Sequence, residues 1–246
     1  MSDISRTVRL IVGPHAERYH VRMSRTARAA PGGHIYHVYN HGNGRLRIFN
    51  RAEDYDLFVG LLAEGQRRTR VRVLSFCVMP THWHVIVWPR EDGGLSEFMR
   101  WVSNTHVRRW HQMHRTVGGG HIYQGRYRSF PIQEGEPLLK VMGYVEANAL
   151  RAGLVAQAED WKWSAVCVRS ADTAAEIPVR GPVTLPMDWR KCVNRSPAVS
   201  ELVELRTCVW RGRPFGDGEW VRETAKAMGL ERTLRNPWRP RRRLFA

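Results

Sequence analysis

The chain has 246 residues, 43% of them hydrophobic, which is enough for one domain with extensions or for two small domains. This composition excludes a disordered chain, and no apolar run approaches the roughly 20 residues that a membrane span needs. Its four cysteines form no C-x-x-C pair, so neither a zinc site nor a disulfide framework is indicated, and a cytoplasmic location is expected. The formal net charge of +16 comes mostly from arginine. A genome rich in G and C would also favour arginine, but it would not explain the shortage of acidic residues, so we expect a polyanionic partner.

The predicted elements alternate between strands and helices after a basic lead-in of residues 1–33. Hydrophobic periodicity and turn residues predict, in chain order, a strand at 35–40, a helix at 52–67, strands at 71–78 and 83–88, a helix at about 95–114, a strand within 123–133 and a helix that begins at Pro137. This order implies an α+β fold, with a mixed sheet and helices packed on it. It is compatible with the ferredoxin-like plan of a split β-α-β unit.

The character of the sequence changes after about residue 165. Two helices are predicted at 199–210 and 217–228, and residues 184–195 show no clear period. The chain ends in a basic, proline-broken tail. Its arginines are expected to contact the phosphates of a polyanionic partner, although a solvated tail is the alternative. The residues concerned are Arg239, Arg241, Arg242 and Arg243. The predicted organisation is therefore a lead-in at 1–33, a main domain at 34–165 and a helical extension with its tail at 166–246.

Two histidines separated by one residue form the most informative motif. His82 and His84 begin an apolar run that is typical of a buried strand, and alternate side chains of a strand point to the same face. The two imidazoles should project side by side, with Trp83 on the other face. Such a pair can form half of a metal site, while hydrogen-bonded histidines in a partly buried sheet are the simpler alternative.

A second pair of polar residues lies on the helix that begins at Pro137. Tyr144 and Asn148 are four residues apart, so they should share one helix face. The pair would add a nucleophilic phenol and an oxygen ligand to the two histidine nitrogens. Such spacings also arise by chance, and Tyr144 could be a core aromatic. Glu146 lies off this face and is expected to be solvated or to form a salt bridge.

Together these motifs resemble the REP-associated tyrosine transposases, an IS200-like branch of the HUH superfamily, which uses one catalytic tyrosine and single-stranded DNA. Residues 79–84 resemble the family's histidine motif and residues 144–155 its nucleophile helix. Further segments fit at 37–43, 123–129 and 160–164, with a weaker echo near 212–216. The chain departs from the family pattern at Ala149, where proline is frequent, and at Trp83, where the residue is usually smaller.

The resemblance implies an antiparallel ferredoxin-like sheet and a defined chemistry. Tyr144 would be the catalytic nucleophile that cleaves and rejoins DNA near REP-like hairpins, leaving a 5′-phosphotyrosine and a free 3′-hydroxyl. The covalent intermediate would conserve the bond energy for strand transfer. His82, His84 and Asn148 would bind a divalent cation, for which Mg²⁺ or Mn²⁺ suits a set of imidazoles and one amide oxygen.

A segment before the last predicted helix of the main domain is a candidate DNA contact. Arg126, Tyr127 and Arg128 alternate cationic and aromatic side chains, which suits unstacked single strands, while solvated arginines on an edge strand are the alternative. Trp161 and Trp163 are expected to be core or interface residues.

Three functions remain open from the sequence alone. They are an active single-stranded DNA transposase or nickase, a catalytically idle hairpin-binding module, and a metal-dependent RNA nuclease in which Tyr144 is structural. The complete set of four site residues favours the first. We expect single-stranded or hairpin DNA as the partner, no membrane, a location at the nucleoid, and either a monomer or a homodimer.

Overall fold

The computed structural model describes residues 30–171, 176–178, 180–195 and 197–235. The tail arginines Arg239, Arg241, Arg242 and Arg243 and most of the lead-in at 1–33 lie outside these residues. Within the described residues the chain forms four strands, which are β1 (Ile35–His41), β2 (Val71–Met79), β3 (His82–Pro89) and β4 (Arg128–Ile132). The helices up to residue 170 are α1 (Ala52–Arg68), α2 (Gly94–Met113), α3 (Glu136–Glu146), α4 (Asn148–Arg151) and α5 (Ala165–Ser170). Those that follow are α6 (Trp189–Asn194), α7 (Val199–Arg211), α8 (Gly218–Ala227) and α9 (Glu231–Leu234).

The four strands form one sheet in the order β2-β3-β1-β4, and every neighbouring pair is antiparallel. The mixed sheet expected from the element order is therefore wrong, and the antiparallel sheet implied by the resemblance is confirmed. Strands β1 and β2 run parallel without being neighbours, because β3 lies between them. Helix α1 connects β1 to β2, and α2 connects β3 to β4. This is the predicted ferredoxin-like α+β fold.

One face of the sheet packs against α1 and α2 and is almost entirely apolar. Trp83, Val85 and Val87 of β3 point to this face, and all three are buried. The two helices approach closely at Gly65, where a Cβ atom would lie 2.8 Å from the Phe98 ring. A larger residue at this position would push α1 away from α2, so glycine is required by the packing.

The opposite face packs against α3 and the C-terminal helices. Its core includes Ile86 from the sheet, Val141 from α3, and Trp189 and Leu205 from the extension. Phe215 accepts a backbone hydrogen bond from Gln133, just after the edge strand β4. The extension therefore shares a hydrophobic core with the sheet. No helix among the described residues is both long and apolar enough to cross a membrane.

Two predicted elements are shorter than expected. The strand predicted within 123–133 begins only at Arg128, because Tyr123 forms an isolated bridge with Gly42 and turns its side chain into the core. The helix predicted to begin at Pro137 ends at Glu146, and the separate turn of α4 starts at Asn148. The interval 184–195, which has no clear period in the sequence, contains the short helix α6.

Candidate active site

The histidine pair lies on the sheet face that packs against α3. The strand period was predicted correctly, since His82 and His84 share this face while Trp83 is buried on the other. Their ring centroids are 5.2 Å apart. In β1, Tyr39 is paired with His84 and its ring centroid lies 4.9 Å away. On its other side Tyr39 is paired with Arg128 of β4, so His84, Tyr39 and Arg128 form one cross-strand row.

Each histidine is oriented through its Nδ1 atom. His84 Nδ1 is 2.8 Å from His37 Nε2, and His82 Nδ1 is 3.0 Å from Thr81 Oγ1. Neither Nε2 atom has a hydrogen-bond partner among the described residues. An imidazole that is fixed through one nitrogen presents the other as a ligand in a defined direction. The hydrogen bonds at Nδ1 therefore orient the two Nε2 atoms so that they can bind a ligand.

Both imidazoles are neutral near pH 7. Burial, together with a smaller contribution from the neighbouring His41, lowers the pKa of His82 to about 4. Burial also lowers the pKa of His84 to well below its usual value, with smaller contributions from His37, His82 and Arg151. Metal ligands must be deprotonated imidazoles, so these histidines are in the form that binds a cation without first releasing a proton.

Tyr144 lies on α3 beside the histidines and is half-buried. Its ring centroid is 6.0 Å from that of His84, with the two ring planes nearly perpendicular. On its other side is a cleft of about 530 Å³ that is lined by α3, by α6 and the residues around it, and by α7. The phenol is thus neither a packed core group nor a freely solvated one. This position is compatible with attack on a bound strand.

Asn148 is buried at the start of α4, one turn after Tyr144. Its amide nitrogen donates to the carbonyls of Tyr144 and Val145, at 3.2 and 3.1 Å. Its Oδ1 atom accepts a hydrogen bond of 2.8 Å from Arg151 Nη2. These three bonds fix which end of the amide is the oxygen. Since an amide oxygen has two lone pairs, one remains for another partner.

Arg151 is a site residue that the sequence analysis did not single out. Its guanidinium carbon lies 4.3 Å from the centre of the Tyr144 ring, and its Nη2 holds Asn148. Its Nη1 atom is buried without a hydrogen-bond partner, and in the described part of the chain Arg151 forms no ion pair. Burial lowers the pKa of this guanidinium, although Tyr144 and Cys77 oppose the shift. The sequence pattern that could have identified Arg151 is its spacing, three residues after Asn148 and seven after Tyr144, which is typical of residues that share one helix face.

In chemical type, the two histidine nitrogens and the Asn148 oxygen suit a weakly held divalent cation. Within residues 30–235, as far as they are described, no three His, Cys, Asp or Glu side chains converge to hold an ion. The available donors are instead the two histidine Nε2 atoms and the free lone pair of Asn148 Oδ1. All three are neutral, so water and an anionic ligand would have to complete the coordination of Mg²⁺ or Mn²⁺.

Glu146 stabilises the candidate site through buried contacts. Its carboxylate is fully buried and accepts hydrogen bonds from Ser75 Oγ at 2.7 Å and from Trp189 Nε1 at 2.8 Å. It also forms an ion pair with Arg169. The predicted salt bridge is confirmed, and the solvated alternative is wrong. Since Arg169 and Trp189 belong to the extension, Glu146 connects the extension to the nucleophile helix.

The segment predicted to bind DNA lies next to this site and at the edge of the sheet. Arg126 is exposed in the loop before β4, and Tyr127 is half-buried against the core. Arg128 is exposed but not simply solvated, because its guanidinium carbon lies 4.7 Å from the Trp210 ring centre and its Nη1 donates to the Trp210 carbonyl at 2.9 Å.

The tryptophans predicted to be core residues do pack inward. Trp161 donates its indole N–H to the carbonyl of Val78 at 2.9 Å. Trp163 stacks on Tyr55 with a centroid separation of 4.0 Å and donates to Asp56 at 2.8 Å. Neither ring is presented as a surface for DNA.

Comparison with known proteins finds a similarity to transposases. Residues 31–148 match the family model described as "Transposase IS200 like".

A solved transposase structure has the same fold. The chain is similar to a REP-associated tyrosine transposase that was solved bound to a REP hairpin, with 22% identity and a TM-score of 0.50, over 67% of this chain and 96% of that one. A candidate transposase from Deinococcus radiodurans is 16% identical with a TM-score of 0.37, over 50% of this chain and 96% of that one. No curated protein sequence matches the chain.

Proposed function

We propose that the chain is a metal-dependent single-stranded DNA transposase that cleaves and rejoins DNA through Tyr144. The observation that carries this proposal is the placement of a half-buried tyrosine 6.0 Å from the ring of His84, which shares a sheet face with His82. Both imidazoles are neutral, and in the described part of the chain neither has a hydrogen-bond partner at Nε2. The match of residues 31–148 to the IS200-like transposase family model supports the same reaction class.

In this reaction the Tyr144 oxygen attacks the scissile phosphorus. The Tyr144 hydroxyl loses its proton as it attacks, the bond between phosphorus and the 3′-oxygen breaks, and the 3′-oxygen takes up a proton. The products are a 5′-phosphotyrosine and a free 3′-hydroxyl. Attack by a second 3′-hydroxyl reverses the step and joins a new strand without an external energy source. His82, His84 and Asn148 would hold Mg²⁺ or Mn²⁺, which polarises the phosphate as a Lewis acid when bound.

The residues around Tyr144 have positioning roles. His37 and Thr81 orient the two histidines through their Nδ1 atoms. Arg151 contacts the Tyr144 ring and the Asn148 oxygen at the same time, so it fixes the nucleophile relative to the proposed ligand. Its positive charge also favours an approaching phosphodiester.

The proposed substrate is a short DNA hairpin next to a single-stranded segment. The solved transposase of the same fold was bound to a REP hairpin, and the net charge of +16 favours a polyanion. Arg126, Tyr127 and Arg128 are proposed contacts, together with the four tail arginines named above. We propose a nucleoid-associated protein in the cytoplasm, acting as a monomer or a homodimer.

The test is covalent attachment of protein to a labelled single-stranded oligonucleotide in the presence of Mg²⁺ or Mn²⁺, followed on a denaturing gel. Wild-type protein should give a shifted band, whereas Tyr144→Phe should give none and should still bind a DNA hairpin within a few fold. Tyr55→Phe is the matched control, because its hydroxyl bonds to the Phe49 carbonyl inside the core, away from the site.

Three results would contradict the proposal in different ways. An adduct formed by Tyr144→Phe would exclude this tyrosine as the nucleophile. Hairpin binding by the wild type without any adduct would indicate an idle binding module. Cleavage of an RNA oligonucleotide by Tyr144→Phe at the wild-type rate would indicate a metal-dependent RNA nuclease.

A further inference from the structure

Helix α7 presents a tryptophan to solvent next to the sheet edge. Trp210 is 69% exposed although it belongs to the largest apolar side-chain type. Its position is fixed, because Arg128 lies against the ring at 4.7 Å and donates to its backbone carbonyl at 2.9 Å. An exposed indole held in a fixed orientation by a cation is already ordered for stacking on a flat partner.

This pair lies on the same face of the sheet as the candidate active site. Arg128, Tyr39 and His84 occupy one cross-strand row on adjacent strands. Neighbouring strands are about 4.8 Å apart, so the Arg128 and His84 backbones are roughly 10 Å apart. At about 3.4 Å per nucleotide of a stacked strand, that distance corresponds to roughly three nucleotides. A strand whose scissile phosphate lay at the histidines would therefore pass Trp210.

The surroundings of Trp210 fit nucleic acid. Arg206 is exposed one turn before it, and Arg213 follows it shortly after α7 ends. Arginine against an indole forms a surface on which an unpaired base can stack while the guanidinium contacts phosphate. A protein partner is the competing occupant, because Val199 and Val203 of the same helix are also exposed.

We propose that Trp210 and Arg128 form a binding site for an unpaired nucleobase of the DNA strand, within about three nucleotides of the scissile phosphate. The inference rests on the proposed function for the position of that phosphate. It also gives the C-terminal extension a direct role, since α7 supplies the base-stacking side chain to a site whose other residues come from the main domain.

The experiment measures binding of a DNA hairpin with short unpaired thymidine flanks, in which one flanking nucleotide at a time is replaced by an abasic site. Base stacking on an aromatic side chain contributes enough for Trp210→Ala to weaken binding of the intact flank by about tenfold. One abasic position should produce a similar loss by itself. At that position alone, Trp210→Ala should have little further effect, because both changes remove the same contact.

Two further variants separate the proposal from its competitor. Trp210→Phe keeps an aromatic face and should recover most of the affinity. Val203→Ala changes an exposed apolar residue two turns earlier on α7 and should bind like the wild type. Thermal unfolding of each variant shows whether it is folded before its affinity is compared.

Several outcomes would overturn the site. They are an unchanged affinity of Trp210→Ala, a loss that is the same at every abasic position, or an equal loss for Val203→Ala, which would instead indicate a protein-binding face. The covalent assay with wild-type protein reports on the proposed function separately. Coupling at one flank position without any covalent adduct would retain the base site and reject the transposase chemistry.

Discussion

The two faces of the sheet differ in what they bury. The face under α1 and α2 carries Trp83, Val85 and Val87 in a closed apolar core. The face under α3 carries His82 and His84, from the same strand. Because side chains alternate along a strand, β3 contributes apolar side chains to the core on one face and two histidines to the candidate site on the other.

Both faces leave buried polar atoms without a hydrogen-bond partner, but the groups concerned differ in charge. On the closed face one such atom is Nε2 of His106, whose Nδ1 is 2.7 Å from the Tyr123 hydroxyl and whose pKa burial lowers to about 3, so this imidazole is neutral near pH 7. On the active-site face Nη1 of the cationic Arg151 is buried without a partner, and no carboxylate among the described residues pairs with it. A buried cation without an anion lowers stability. The anionic substrate proposed above would supply the missing partner.

The largest effect should come from truncating the closed face. Trp83→Ala removes a fully buried indole that stacks on Phe58 and leaves the Tyr123 hydroxyl without its indole donor. Such a change should lower the free energy of unfolding by about 3–5 kcal/mol. Urea unfolding measures it. His82→Ala, one residue earlier but half-buried on the other face, should cost less than about 1 kcal/mol. Equal costs would show that the two faces contribute alike to stability.

The next largest effect should be on activity. His84→Ala removes a proposed ligand and should reduce metal-dependent cleavage by about 100-fold or more, since losing even a partner of a ligand costs 10- to 100-fold. Chelation with EDTA should have the same effect on the wild type. The matched control is His106→Ala, which removes a buried histidine from the closed face. It should lower stability and leave the cleavage rate of the folded protein unchanged. Full activity in EDTA would exclude the metal.

The histidine pair and its shared face could be predicted from the sequence because strand alternation is a local property. The nucleophile helix was predicted for a similar reason, since Pro137 marks its start. The role of Arg151 was not predicted, because nothing local distinguishes it among many arginines. The burial of Glu146 depends on Arg169 and Trp189, which come from a region without clear periodicity. Contacts between residues that are far apart in the sequence cannot be predicted from a local sequence pattern.

An effect of intermediate size is expected from removing the Arg151 guanidinium, which has no anionic partner among the described residues. Arg151→Met keeps most of the side-chain length and removes the guanidinium that holds Tyr144 and Asn148. Cleavage should fall by about tenfold, which is the scale of one hydrogen bond to a charged group. Thermal stability should stay the same or rise, because the buried charge has no anionic partner. The cleavage rate should therefore fall without a fall in the unfolding temperature. A parallel fall in both would show that Arg151 is structural.

The smallest effect should come from Asn148. In Asn148→Ala a water molecule can take the place of a neutral oxygen ligand, so cleavage at saturating metal should fall by no more than about fivefold, or roughly 1 kcal/mol. The metal concentration needed for half-maximal rate should rise, because one protein donor is lost. A titration of Mn²⁺ separates the two effects. If Asn148→Ala is instead as damaging as His84→Ala, its oxygen must be essential to the site. Combining it with Arg151→Met would then show whether the two act together, since residues that share one interaction lose it only once.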